Sequence, residues 1–529
     1  MELKIKSVQY NHYLRLRSIL EYHPVYVDVS GLGLGKTYMA GRIALDLNLP
    51  ILVISPKSLI EPWKIFAHNY GIKLIDAINY SQLHGIRLRN SIKINHPYLI
   101  RNEDDSFTVT KYLANLIYSG VLIVFDEISF VKNINKQSEA CCVISSFLAE
   151  CFRYDPNLRS RIACLSKTPF DKPEHIGTFL RLTGIMTKSS LIDKNQYQCD
   201  TSGYEQFLEM CNYFDYEKTQ SILPEHVTHN MVNWICYNLY LDVIKDRISS
   251  FIEEEAKNNH LEIINCYYQS SDSDMQNVSH SINTLRKSVA VFNNTGGINK
   301  NGYSLTPSLK NLELSKLGIL CRVPLNQLNS DHSCKVIIYV NYKDSIHLLH
   351  EFYRNYGSVT LYGNMTEQER CKSVHLFQKD PNTRVLIANP IVGGIGLNLD
   401  DEIGNSPRYM YIVNNFDYST FQQSVGRIDR INTKSKPTVY IVNTMISEDI
   451  ISNVHNRKSE IIAQISDNKN LMENVKTMYE WPDGILRETN PSIKKIDNVN
   501  LSTYKSPPQF NIVTPTTKSK GFGLPERSY

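Results

Sequence analysis

Eight short segments of this sequence are almost wholly apolar and are bounded by turn-forming residues. Continuous apolarity, rather than alternation, is typical of strands buried on both faces, and such strands occur in parallel sheets covered by helices. Half of the segments lie before residue 186 and half after residue 331, so the pattern predicts two α/β sheets. The predicted strands are VYVDVS (25–30), PILVIS (50–55), VLIVFDE (121–127), RIACLSKTP (161–169), KVIIYVN (335–341), RVLIAN (384–389), RYMYIVN (408–414) and TVYIVN (438–443).

The segment between the two predicted sheets has no comparable apolar runs. Apolar residues recur at helical spacing over 231–259, and the polar stretch 269–283 and the glycine-containing loop 293–302 follow. Beyond residue 466 the periodicity weakens. We therefore expect four regions: a first lobe (1–186), a mostly helical insertion (187–330), a second lobe (331–465) and a largely flexible C-terminal extension (466–529).

Composition places the chain among soluble, multidomain globular proteins. It has 529 residues, of which 42% are hydrophobic and 21% charged. Its eleven cysteines never form a C-x-x-C pair, which argues against a zinc site or a disulfide framework and favours a reducing compartment. The N-terminus lacks the apolar core of a signal peptide, and the apolar runs are too short to cross a membrane. We expect an intracellular protein that does not bind membranes.

The net charge is small but unevenly placed. Lysine and arginine total 57 against 53 acidic residues, a net charge of +4. Residues 489–529 hold six basic and two acidic residues, which is 6 − 2 = +4, so the whole excess lies in this tail. The tail is interpreted either as an unstructured solvated extension or as an auxiliary binding segment for nucleic acid or a partner.

A glycine-rich loop follows the first predicted strand and precedes a helical pattern. In such a loop, backbone N–H groups can close around phosphates, and the helix N-terminus adds a favourable dipole. The lysine would contact the β- and γ-phosphates and the threonine would hold Mg²⁺, which makes ATP the expected ligand. The strict pattern would place glycine where serine stands at position 30. The loop comprises Ser30, Gly31, Leu32, Gly33, Leu34, Gly35, Lys36 and Thr37.

Two acidic residues, Asp126 and Glu127, emerge at the end of another apolar strand. Ligands of open α/β sheets bind at the carboxyl ends of the strands, so these acids and the glycine-rich loop are expected to meet. Asp126 would hold Mg²⁺, and Glu127 would orient or deprotonate an attacking water.

The second lobe offers a basic constellation. The segment QQSVGRIDR (422–430) is predicted to start a helix in which Gln423, Arg427 and Arg430 share one face. Arginine stays charged and matches phosphate oxygens bidentately, so Arg427 and Arg430 could stabilise transition-state charge on ATP bound to the first lobe. Pairing of Arg427 with Asp429 on a solvated helix is the alternative.

In these motifs and their order, the chain resembles superfamily 2 helicases and translocases of the Swi/Snf-type branch, over about residues 5–465. The matching segments are SPKSLIEPW (55–63), DEISFVKN (126–133), LSKTP (165–169), LYGNMTEQER (361–370), GGIGLNL (393–399) and QQSVGRIDR (422–430). The resemblance implies two RecA-like lobes, with Gln9 at the position of the family's adenine-reading glutamine. It also implies nucleic-acid contacts from Ser55, Lys57, Trp63, Lys132, Asn364, Gly393 and Gly394. For Trp63, burial in the core is the alternative.

The finer resemblance is to nucleoside-triphosphatase/helicase proteins of cytoplasmic DNA viruses, poxviruses among them, and of yeast cytoplasmic linear plasmids. It is carried by LSKTPFDKPEHIGTFLRLTGI (165–185), SINTLRKSVAVF (281–292) and NVHNRKSEII (453–462). It implies a monomeric, cytoplasmic motor that binds DNA rather than RNA and assists the transcription or replication machinery.

Three departures from the family pattern motivate a different interpretation. Besides Ser30, Ser129 replaces a histidine and Lys167 replaces a small residue. A degenerate ATP-binding scaffold within a transcription complex is therefore the alternative to an active motor. A translocase that moves on double-stranded DNA without unwinding it is a third interpretation.

Overall fold

The structure is a computed structural model that describes residues 2–83, 86–87, 93–94, 96–187, 229–252, 261–294, 305–393, 397–445, 449–466, 472 and 475–489. The tail from residue 490 onward and Gly394 lie outside the described residues.

The first lobe is built on a parallel sheet. Its strands are β1 (Val25–Asp28), β2 (Ile51–Ser55), β3 (Leu74–Asn79), β8 (Leu122–Asp126), β9 (Arg161–Leu165) and β10 (Ser249–Ser250), in the order β10-β1-β9-β8-β2-β3. Two small antiparallel pairs stand apart from this sheet: β4 (Ile86–Arg87) with β5 (Lys93–Ile94), and β6 (Leu99–Arg101) with β7 (Phe107–Val109).

Helices flank both faces of this sheet. They are α1 (Ser7–Tyr22), α2 (Lys36–Leu47), α3 (Lys57–Tyr70), α4 (Tyr80–Leu83), α5 (Lys111–Ser119), α6 (Lys136–Tyr154) and α7 (Ile176–Leu182). From the insertion come α8 (His229–Leu239), a π-helical turn (Tyr240–Ile244) and α9 (Lys245–Ile248), which pack on the same lobe.

The second lobe contains an eight-stranded sheet. Its strands are β11 (Glu262–Tyr268), β12 (Lys335–Tyr339), β13 (Ser358–Leu361), β14 (Val385–Ala388), β15 (Arg408–Ile412), β16 (Thr438–Thr444), β17 (Lys476–Glu480) and β18 (Leu486–Arg487). The order is β13-β14-β12-β15-β16-β11-β17-β18, and all neighbours are parallel except β17 and β18.

The remaining helices are α10 (Asp272–Asn294), α11 (Leu305–Leu314), α12 (Leu317–Ser330), α13 (Lys343–Phe352), α14 (Glu367–Lys379), α15 (Pro390–Gly393), α16 (Tyr418–Val425) and α17 (Asp449–Ser466). None of the described helices is both long and apolar enough to cross a membrane.

Burial on both faces explains the apolar runs. Along β8, Leu122 and Val124 join one apolar cluster, whereas Ile123 and Phe125 join the cluster on the other face. Successive strand residues point to opposite faces, so a strand covered on both sides must be apolar throughout. The eight predicted strands and the two-sheet α/β fold are confirmed.

The expected insertion and extension are less separate than their sequence indicates. β10 and β11 come from residues 187–330, and β17 and β18 come from residues 466–529, yet all four extend the two sheets. The description of the insertion as mostly helical therefore misses seven residues of parallel strand, Glu262–Tyr268, placed between β16 and β17. The division of the chain into four regions remains a proposal.

The register of the first sheet places the candidate groups together. Asp28 at the end of β1 is paired with Leu165 of β9, which is paired in turn with Asp126 of β8. Since adjacent strands lie about 4.8 Å apart, the glycine-rich loop and the acidic pair start from one edge, two strands apart.

Candidate active site

The loop between β1 and α2 has the backbone conformation of a phosphate-binding loop. Gly33 and Gly35 have positive φ of 74° and 99°, and Gly35 caps the N-terminus of α2. Such angles favour glycine, and the first N–H groups of the following helix have no partner within the helix. The loop can therefore present backbone donors to an anion.

Lys36 is the first residue of α2 and points back over this loop. Its Nζ donates to the carbonyl oxygens of Ser30 (3.0 Å) and Gly31 (3.3 Å). Burial lowers the pKa of Lys36, although nearby carboxylates, that of Glu127 first, oppose the shift. The ammonium thus stands between the loop and the acids, where phosphates would lie.

Ser30, the departure from the glycine pattern, directs its side chain away from the nucleotide side of the loop. Its Oγ accepts a hydrogen bond from the amide of Ile252 (2.9 Å), and its amide donates to Asp28 Oδ1 (2.9 Å). Below it, His12 Nε2 lies 3.1 Å from Asp28 Oδ2. The serine therefore joins the loop to the insertion without obstructing the loop.

Gln9 contacts the same loop from α1. Its Nε2 donates to the carbonyl oxygen of Leu34 (2.7 Å), and its Oε1 accepts from the amide of Lys6 (2.8 Å). A Cβ at Gly35 would meet only the end of the flexible Gln9 side chain, which can shift, so the positive φ is the main reason for glycine there. Next to the loop, Gln9 lines a cavity that lies between the two lobes.

Asp126 and Glu127 end β8 side by side, with only 6% and 7% of their surface exposed. Burial, and then repulsion from Glu127, raises the pKa of Asp126 to about 7, whereas a hydrogen bond from Trp63 Nε1 to Asp126 Oδ2 (2.8 Å) lowers it. Glu127 has a positive φ of 53°, and its Oε2 accepts from Ser166 Oγ (3.4 Å). Two crowded carboxylates of this kind suit a divalent cation.

Thr37 and Asp126 both line this cavity between the lobes. Their hydroxyl and carboxylate oxygens are ligands that Mg²⁺ accepts. Among the described residues there is no cluster of three or more His, Cys, Asp or Glu side chains that could hold a metal ion. A magnesium ion here would therefore take its remaining ligands from nucleotide phosphates and water.

The two arginines reach the site differently from the prediction. The predicted helix over 422–430 is wrong in its extent, because α16 ends at Val425. Beyond it the amide of each residue bonds the carbonyl three residues earlier, Arg427 N to Ser424 O (3.1 Å) and Ile428 N to Val425 O (3.2 Å). Arg427 and Arg430 nevertheless converge, since both donate to the Leu397 carbonyl, at 3.4 and 2.9 Å.

Arg427 is buried and Arg430 is partly buried where the second lobe meets the first. Burial and the neighbouring Arg427 lower the pKa of Arg430 to about 10, so it remains charged at neutral pH. Arg430 Nε is buried without a hydrogen-bond partner in the described structure, and a buried donor of this kind suits an anionic ligand.

The lobes touch directly at this point. A Cβ built on Gly33 would lie 2.9 Å from Arg430 Cγ, and one built on Gly426 would lie 2.5 Å from Leu32 Cβ. Lys6 Nζ also donates to Asn432 Oδ1 (2.7 Å). The structure therefore shows the two lobes in contact over the loop.

A cavity of about 420 Å³ lies between the lobes, a size in the range of small-molecule sites. Its lining includes ten of the residues predicted for catalysis or nucleotide binding. The ten are Gln9, Leu32, Gly33, Gly35, Lys36, Thr37, Asp126, Glu127, Arg427 and Arg430. Gln423 is buried within α16 and does not line it.

Sequence reasoning missed the rest of the lining. The additional residues are Lys4, Lys6, Tyr38, Leu59, Pro62, Asn398, Asp400, Glu402, Ile431 and Asn432. Most belong to no motif with its own chemistry, and their only sequence signal is proximity to the loop or to the arginine segment.

Of the residues expected to contact nucleic acid, some are exposed and others are buried or paired within the protein. Lys57, at the start of α3, and Asn364, after β13, are exposed. Ser55 is fully buried, and Trp63 is 2% exposed and bonded to Asp126, so the alternative of a core tryptophan is supported. Lys132 pairs with Asp171 (2.9 Å). Gly393 ends α15.

Comparison with known proteins gives a consistent picture. Residues 315–432 match the helicase conserved C-terminal domain. The candidate ATP-dependent RNA helicase L364 of Acanthamoeba polyphaga mimivirus is 23% identical over 472 residues, which are 88% of this chain and 84% of that protein. The chromatin-remodeling ATPase INO80 of Saccharomyces cerevisiae is 25% identical over 208 residues, 37% of this chain but 13% of INO80.

Among solved structures, the Sulfolobus solfataricus SWI2/SNF2 ATPase core in complex with dsDNA aligns over 88% of this chain and 97% of its own. Its sequence identity is 14% and its TM-score is 0.29, too low to carry an argument about the placement of the lobes. The sequence matches and the motifs that converge on the cavity support a Swi/Snf-type relative of the superfamily 2 helicases and translocases, and the homologues indicate an ATP-hydrolysing, nucleic-acid-dependent enzyme.

Proposed function

We propose that this protein is an ATP-dependent motor that acts on nucleic acid and hydrolyses ATP to ADP and phosphate between its two lobes. One observation carries the proposal: groups suited to phosphate, metal and transition-state charge come from both lobes and face one cavity of about 420 Å³.

Each group has a definite task in this scheme. The loop amides and Lys36 bind the phosphates, Thr37 and Asp126 hold Mg²⁺, and Glu127 orients the attacking water and accepts its proton. Magnesium, when bound, shields the phosphate charge. Arg427 and Arg430 lie on the other lobe, so they offset the developing charge only when the lobes are together. Gln423 supports the arginine segment from within α16.

Nucleic acid is proposed to lie across the carboxyl edges of the sheets. Lys57, Asn364, Gly393 and Gly394 are the proposed contacts, mainly with the sugar-phosphate backbone, because a motor must not depend on sequence. We propose DNA rather than RNA, and a monomeric protein in the cytoplasm that serves transcription or replication. These finer assignments rest on the family resemblance.

Two other functions would give different assay results from a helicase that unwinds a duplex. A double-stranded DNA translocase would displace the third strand of a triplex without separating a plain duplex. A degenerate ATP-binding scaffold would show no turnover. The position of the Ser30 hydroxyl, which bonds Ile252 away from the cavity, favours an active enzyme over the scaffold.

The deciding experiment is the rate of ATP hydrolysis with single-stranded DNA, double-stranded DNA, RNA or no nucleic acid, at low salt. We expect stimulation by DNA and loss of turnover in Lys36→Ala. Turnover retained in Lys36→Ala would show that the phosphate site is misassigned. An absence of stimulation by every nucleic acid would overturn the motor.

A further inference from the structure

A buried carboxylate outside the nucleotide cavity gathers three basic side chains. Asp171 is 2% exposed. Its oxygens lie 2.9 Å from Lys132 Nζ, 3.1 Å from His175 Nδ1 and 3.3 Å from Lys458 Nζ. Burial alone would raise the pKa of Asp171, but the bond to His175 and the two lysines hold it below the ordinary range. Asp171 is thus ionised at neutral pH.

One of the three basic side chains comes from the other lobe. Lys458 lies on α17, which follows the last long strand of the second lobe, and its Nζ also donates to the carbonyl oxygen of Phe416 (2.9 Å). The same helix places Ile462 in the core of the second lobe and Ile461 against the core of the first. Lys458 therefore holds both lobes with one ammonium group.

The partners of this ammonium lead to both halves of the candidate active site. On the first lobe, Asp171 binds Lys132, which lies five residues after Glu127 along the chain. On the second lobe, Phe416 directly precedes the N-cap of α16, the helix that leads to Arg427. His455, one turn before Lys458, lies 2.6 Å from the Asn415 carbonyl and fixes the same segment.

The partners that Asp171 has within its own lobe make the contact with Lys458 suitable for repeated breaking. Removing the sole partner of a buried charge is costly, because the charge left behind is uncompensated. When Lys458 withdraws, Asp171 keeps Lys132 and His175, so opening the lobes does not strand the carboxylate.

We propose that Lys458 and Asp171 are positioning residues that couple lobe closure to the placement of Arg427 over the nucleotide. This inference rests on the proposed ATPase function, and it adds a second inter-lobe contact that touches neither ATP nor magnesium. The two segments that meet here, 165–185 and 453–462, belong to no ATP-binding motif.

The test is steady-state ATP hydrolysis by Lys458→Met in the full-length chain with saturating DNA. We expect kcat to fall about tenfold, within the usual range of coupling between sites, while KM for ATP changes less than about twofold, because the first lobe still binds the nucleotide. Lys458→Arg should restore most of kcat. Lys310→Met, which breaks the exposed ion pair with Asp344 within the second lobe, is the matched control and should keep wild-type kcat.

The outcomes separate this inference from the proposed function. No DNA-stimulated turnover in the wild-type chain would overturn the proposed function itself. An active wild type with Lys458→Met equal to Lys310→Met would overturn the inference alone. Equal losses in Lys458→Met and Lys458→Arg, together with a lower thermal midpoint, would show that Lys458 is merely structural and would likewise overturn it. In an Asp171→Asn background, Lys458→Met should reduce kcat little further.

Discussion

Gly426 offers the sharpest perturbation of the contact between the lobes. In Gly426→Ala, the added Cβ would lie 2.5 Å from Cβ and Cδ1 of Leu32, whereas ordinary contacts begin near 3.4 Å. The arginine segment and the phosphate loop must therefore separate by about 0.9 Å. Since a misplacement of about 1 Å can cost about a hundredfold in rate, we expect kcat to fall 10- to 100-fold, about 1.4 to 2.7 kcal/mol in barrier.

The assay is steady-state ATP hydrolysis with DNA, and Gly318→Ala is the control. Gly318 lies in α12 of the same lobe and has no atom within 4 Å of its added Cβ, so its substitution should leave kcat unchanged. Leu32→Gly removes all the atoms that collide, and the double variant should recover part of the rate lost in Gly426→Ala. A wild-type kcat in Gly426→Ala would refute the reasoning, because turnover would then not pass through this contact.

Three further predictions concern single side chains. Trp63→Phe removes the donor that lowers the pKa of Asp126, so the acidic limb of kcat/KM should move to higher pH; an unchanged limb or one at lower pH would contradict this. Ser30→Gly leaves the amide of Ile252 without its acceptor and should lower the free energy of unfolding in urea by about 1 kcal/mol while kcat stays within about twofold. Lys57→Ala should weaken DNA binding and reduce the slope of log affinity against log salt by about one phosphate contact. An unchanged slope would exclude Lys57 as a phosphate contact.

The strand β11, which the sequence did not predict, differs from the eight predicted strands in how its polar residues are satisfied. The eight predicted strands are buried on both faces, and their continuous apolarity indicates this in the sequence. β11 contains Glu262, which pairs with Lys436 and Lys476, and Asn265, which accepts from Asn443 Nδ2 (2.6 Å). Those partners lie at least 174 positions away along the chain. A polar residue in a strand is permitted by such neighbours, and the sequence of the strand alone cannot supply them.

The parts of the candidate site also differ in whether the sequence predicted them. The glycine-rich loop and the acidic pair were predictable because each motif carries its chemistry within a few residues. The extent of the arginine helix was not predicted: it ends at Val425, and the next residue, Gly426, approaches Leu32, a residue almost 400 positions away along the chain. Trp63 resembles a surface contact in its motif, yet it bonds Asp126 across the core.

The charges around the cavity give a physical reason for the lobes to close on a nucleotide and to separate afterwards. Lys36, Arg427 and Arg430 face Asp126 and Glu127 across the cavity, Asp400 lies beside Arg430, and burial lowers the pKa of each cation. Without an anion, the adjacent arginines repel each other beside the loop and destabilise the closed arrangement. A triphosphate reverses this balance, because it supplies the negative charge that the arginines and the loop amides lack. Loss of the γ-phosphate removes part of that charge, so hydrolysis itself should weaken the hold of the second lobe.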